Sequence, residues 1–123
     1  MKKILIVVFL VLLNLTYAQQ KQVFTQKYSS FSLLKGGDIE EVLNTIATVA
    51  FNNQTKLITI KKSDGGVEKY KIISPQENSQ TSSGNSYMAV LTQNGKYQFY
   101  FMFFDQKLMV INKTTKNGLV LYK

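Results

Sequence analysis

A chain of 123 residues with 15 basic and 7 acidic side chains, a net charge of +8, and neither cysteine nor histidine is bounded first by what it lacks. Without Cys there is no disulfide and no thiol chemistry. Without His the commonest general base near neutral pH is missing, Ser–His and Cys–His nucleophile pairs cannot form, and zinc loses both favoured ligand types. All the basic residues are lysine, so the planar Arg fork on which phosphate and nucleic-acid sites lean is absent, and no nucleic-acid partner is expected.

The N-terminus reads as an export signal. Lys2 and Lys3 precede an unbroken apolar run, Ile4–Leu13, and Thr16-Tyr17-Ala18 places small residues where a signal peptidase reads. The run is ten residues long, about half of the roughly 20 that a membrane span needs. Residues 1–18 are therefore expected to be cleaved. That leaves residues 19–123 as one small β-rich domain of 123 − 18 = 105 residues, with a charge of 13 − 7 = +6. The expected location is periplasmic or extracellular. No Cys follows the cleavage point, so lipid anchoring through one is not expected, and no later run is apolar for long enough to span a bilayer.

The mature part opens on a strand at 22–28. Gly36-Gly37 then breaks the chain. Asp38 followed by Glu41 fits a capping box, and Ile39, Val42, Leu43 and Ile46 share one helical face. A short helix is expected over 38–44, running into a strand at 45–51; a strand across the whole segment is the alternative. Asn52–Thr55 turns the chain. Asp64-Gly65-Gly66 joins strands at 56–62 and 67–74. Residues 75–86 are polar throughout and read as a long surface loop. Asn94-Gly95 joins 87–93 to 96–104 as a hairpin, Asp105-Gln106 turns into 107–112, and Asn117-Gly118 leads into 119–122.

An echo runs between the halves: Phe51-Asn52, Lys56-Leu57-x-x-Ile60 and Tyr70 against Phe104-Asp105, Lys107-Leu108-x-x-Ile111 and Tyr122. The expected architecture is mainly β: an antiparallel meander of about eight strands, closed as a small barrel or left as a curled sheet, with the one short helix. In strand order this resembles a compact lipocalin-type barrel, which would imply an apolar ligand inside. The Gly-x-Trp motif of that family is absent because the chain has no Trp, so no site residue is carried over.

Two features stand out. The strand at 96–104 is apolar on both faces. Phe99, Phe101 and Phe103 lie on one and Tyr100 and Met102 on the other, so both must be covered. These five residues are the candidate ligand-binding set. The second feature is a hairpin in which Ile58 and Ile60 are expected opposite Lys71 and Lys69, making Lys62, Lys69 and Lys71 a candidate anion patch. The carboxylates offer no catalytic pair: Asp38 and Glu41 are assigned to a cap, Asp64 and Asp105 to turns, and Glu68 to a strand partner of Lys61. The chain is expected to be no enzyme and to hold no cofactor or metal. The sequence leaves two functional readings: a non-catalytic module binding a small apolar ligand, or a module docking on a protein or an envelope surface.

Overall fold

The computed structural model describes residues 23–123; the signal expected at 1–18 lies outside them. The described residues form nine strands: β1 (Val23–Lys35), β2 (Asp38–Asn52), β3 (Leu57–Lys62), β4 (Val67–Ile72), β5 (Glu77–Gln80), β6 (Ser86–Asn94), β7 (Tyr97–Phe103), β8 (Lys107–Asn112) and β9 (Gly118–Tyr122). Every pairing is antiparallel. The first and last strands meet, with Ser30–Leu34 against Gly118–Tyr122. On the other side β4 meets β6 through Lys71↔Gln93 and Ile72↔Thr92. The result is a closed eight-stranded barrel in the order β1-β2-β3-β4-β6-β7-β8-β9, with β5 added to the free length of β6. Closure leaves few edges for another chain to pair with.

The helix expected over 38–44 is strand. Gly36 and Gly37 have φ of 60° and 91°. They form the two-residue loop of a hairpin in which Lys35 faces Asp38 and Leu34 faces Ile39. Positive φ at both central positions suits the right-handed twist of the flanking strands. The helical spacing of Ile39, Val42, Leu43 and Ile46 gives way to a ladder that extends along all of β1. Two register shifts, between Tyr28 and Ser30 and between Ser32 and Leu34, are what let a helix-like apolar spacing lie along a strand.

The polar stretch 75–86 also holds a strand, β5, rather than running as a loop throughout. Ser74 Oγ accepts the Leu91 N–H at 2.8 Å, taking the place of a ladder carbonyl just before Pro75. The chain then runs along β6 as β5 and returns through Thr81–Asn85, closed by the Asn85 carbonyl accepting the Thr81 N–H at 2.9 Å. Gly118 is set by close approach rather than by a turn. A Cβ there would lie 1.8 Å from the Val110 carbonyl oxygen, and the turn itself is Lys113–Asn117.

Inside the barrel sit Tyr28, Ala47, Val49, Phe51, Ile58, Ile60, Tyr70, Ile72, Val90, Phe101, Leu108, Val110 and Leu121, with Phe24, Phe31, Met88, Phe99, Phe103 and Leu119 against them. Alternation along each strand supplies this face.

Candidate functional site

The alternation of β7 divides the candidate ligand-binding set. Phe99, Phe101 and Phe103 point into the barrel. Tyr100 and Met102 point out of it and are half-buried. The inner rings are in contact with other rings. Phe101 lies 4.9 Å from Tyr70 and Phe99 lies 5.4 Å from it, both edge to face. At the end where β1 begins, Phe24 stacks on Phe51 at 5.0 Å and Phe103 meets both edge-on at 5.3 and 5.6 Å. Such separations are those of paired aromatic side chains, and they fill this end of the barrel with the protein's own rings.

The opposite end is polar. Glu68 accepts hydrogen bonds from Lys62 Nζ at 2.9 Å and from the Tyr70 hydroxyl at 2.7 Å. Burial alone would raise the Glu68 carboxyl; the hydrogen bonds from Lys62 and Tyr70 and the Lys62 charge outweigh it and hold it below the ordinary 4.5. The Tyr70 hydroxyl is raised, first by burial and then by its bond to Glu68 and that carboxylate's charge. Tyr28 is pushed up to about 12 by burial.

This arrangement revises the hairpin register. Ile58 faces Tyr70 and Ile60 faces Glu68, while Lys69 faces Thr59 and Lys71 faces Leu57. The loop is one residue longer than a two-residue Asp64-Gly65 turn: the Gly65 N–H donates to the Lys62 carbonyl at 3.0 Å and the Lys62 N–H to Gly66 at 2.8 Å. A one-residue change moves side chains to the other face. Lys69 and Lys71 therefore lie together on the outside with Lys61, whereas Lys62 is tied to Glu68. The structure brings two of the three candidate patch lysines together and takes the third away. Glu68 is bonded to Lys62, not to Lys61.

The outer face of β6, β7 and β8 is the feature that sequence reasoning left unplaced. Cross-strand partners share a face. One row runs Ala89–Met102–Met109 and the next Leu91–Tyr100–Ile111; all six residues are half-buried. In register the rows continue through Val120, Ser32 and Val42 and through Gly118, Leu34 and Ile39. Neither row contains a charged residue. Ser32, Leu34 and Val120 are closed off from solvent, and exposure rises outward to Val42 and Ile39 at 57% and 56%. Below the rows the Tyr87 and Phe104 rings lie 5.0 Å apart, and Lys107 Nζ stands 5.1 Å from the Phe104 ring. Beside them Pro75 and Glu77 border a depression of about 220 Å³ that also meets Ala89, Leu91 and Tyr100. On the opposite wall Lys61, Lys69 and Lys71 interrupt the apolar surface. The signal for the outer rows was present in the sequence, because an apolar run without alternation implies two covered faces; the strands paired with it were not assignable to a face.

Comparison of the chain with family models, with curated proteins and with solved structures gives no match.

Proposed function

We propose that this chain is an exported, non-catalytic interaction module that docks on another protein through the outer wall of β6, β7 and β8. The observation that carries this reading is the uncharged block of Ala89, Leu91, Tyr100, Met102, Met109 and Ile111 on the outside of a barrel whose aromatic end is filled by its own rings. Contiguous apolar surface with a polar rim is characteristic of protein contacts. Lys107, Gln98 and Gln93 supply that rim. Export is supported by Lys2-Lys3, the Ile4–Leu13 run and Thr16-Tyr17-Ala18.

Two other readings, a bilayer around the barrel and a ligand inside it, meet obstacles. A bilayer needs an apolar girdle all round a barrel, and this girdle is broken by Lys61, Lys69 and Lys71. A small apolar ligand within the barrel, as the strand order suggests, would have to displace rings that already contact one another.

The test is a photo-crosslinking side chain in place of Met109, expressed with the export signal intact. It should give one discrete protein adduct, and the same side chain at Lys69 on the opposite wall should not. Met109→Lys combined with Ile111→Lys should abolish capture by a crosslinker at Tyr100. Equal labelling from both walls would contradict the proposal.

A further inference from the structure

β2 outruns its neighbour. β3 pairs only with Ala47–Asn52, so among the described residues Asp38–Thr45 are laddered to β1 alone and carry one unpaired row of backbone groups. The Ile46 carbonyl ends that row, since it already accepts the Ser63 N–H at 2.9 Å. The apolar side chains along this edge are exposed: Ile39 56%, Val42 57%, Leu43 41% and Ile46 58%. Natural edges are blunted by charge, Pro or bulges; residues 38–46 contain no Lys or Pro, and their charge is the acidic start at Asp38, Glu40 and Glu41, with two register shifts against β1.

We infer that this edge pairs with the same edge of a second copy of the chain, antiparallel and about a two-fold axis near Val42, to form a dimer with one sheet continuous across it. The inference goes beyond the proposed docking wall and uses a different surface. A two-fold contact requires a strand that is complementary to itself, and this one is. With Val42 at the axis, Ile39 of one copy falls opposite Thr45 of the other, Glu40 opposite Asn44 and Glu41 opposite Leu43, so no two acidic positions are paired; Asp38 stops short of Ile46, whose place in the row Ser63 fills. An antiparallel second β2 also runs in the direction of β3 and takes up the row where β3 stops. Its acidic start, Asp38 and Glu40, therefore arrives beside the end of β3, where Lys61 is exposed and Lys62 is held by Glu68. The symmetry makes that attraction twice. In a chain of net charge 13 − 7 = +6 from Gln19 onward, these acidic tips offset the repulsion between copies.

Sedimentation velocity on the chain beginning at Gln19, over the micromolar range, is the test. A dimer that grows with concentration is expected. Val42→Lys with Ile46→Lys should weaken it by at least about tenfold, as edge lysines do, with an unchanged far-ultraviolet spectrum. Asp38→Lys with Glu40→Lys should be monomeric, and Lys61→Glu alone should also be monomeric. The two mixed together should associate again, because each tip then meets an opposite charge. Hydrogen exchange should show protection gained on dimerisation within 38–45. A chain that stays monomeric throughout, a dimer indifferent to the Val42 and Ile46 changes, or charge variants that fail to associate on mixing would each overturn the inference. Met109→Lys with Ile111→Lys should leave the dimer intact, so failure of the docking wall and failure of the edge are told apart.

Discussion

The two halves of β2 are one continuous strand with opposite fates. Ala47, Val49 and Phe51 are 2%, 0% and 0% exposed, flanked by β1 and β3 and pressed against the barrel's rings. Ile39, Val42 and Ile46 are more than half exposed and have a strand on one side only. Apolar content does not separate the halves, since both are rich in β-branched and apolar residues, although the acidic Asp38, Glu40 and Glu41 all fall in the N-terminal one. Neighbours do: the C-terminal half folds the barrel, and the N-terminal half is left as surface. An apolar residue on this protein therefore informs about folding or about contact according to which ladder it joins.

The largest effect expected from breaking that contrast is at Phe51. Phe51→Ala removes a ring stacked on Phe24 and met edge-on by Phe103, and should cost about 3–5 kcal/mol of stability in urea unfolding. Gly118→Ala comes next. Its Cβ would meet backbone, the Val110 carbonyl oxygen, which can move only by parting β8 from β9; about 1–3 kcal/mol is expected by the same measurement.

Two pH effects are smaller and opposite in sign. Tyr28 is raised in the folded state, so its contribution is fully present below the ordinary value of 10 and is lost as pH rises from there through about 12. Tyr28→Phe should shrink the alkaline loss of stability. Glu68 is lowered, so its contribution is present above the ordinary 4.5 and is lost as pH falls below that through the folded value. Glu68→Gln should flatten the acid limb of the stability profile and, because the carboxylate also helps to raise Tyr70, should reduce part of the alkaline limb with it. Smallest of all, Val42→Ala should change unfolding by less than about 0.5 kcal/mol, as an exposed position does. A loss there as large as at Phe51 would erase the distinction between the halves.

Much of the fold was legible because turn residues and alternation mark strand ends. The eight strands of the barrel and their meander order follow from Asp64-Gly65, Asn94-Gly95, Asp105-Gln106 and the apolar runs between them. Closure was not legible, because it rests on the β1–β9 ladder between the two ends of the chain and on two residue pairs between β4 and β6, neither of which leaves a local pattern. The segment 38–44 misled because its apolar spacing fits a helix, and only the pairing of Lys35 with Asp38 makes Gly36-Gly37 a hairpin loop rather than a break. The echo between the halves is not a duplicated unit in space: Leu57 faces outward with Lys71, while Leu108 faces inward, so the two copies of the pattern are out of phase. The candidate site was half legible. Five residues of one strand were singled out as needing cover on two sides; which of them lie inside depends on register, and register depends on loop length, as the three-residue loop before Gly66 shows.

On the proposed reading, contact chemistry lies on the outside of this barrel while its inside is occupied by its own side chains. Native mass spectrometry of the chain after export and gentle purification puts this to the test. The expected spectrum shows the mass of the bare polypeptide and its protein-bound or dimeric forms, with no small molecule released on denaturation. A stoichiometric apolar molecule released from the monomer, and lost in Phe101→Ala but not in Met109→Lys, would contradict it.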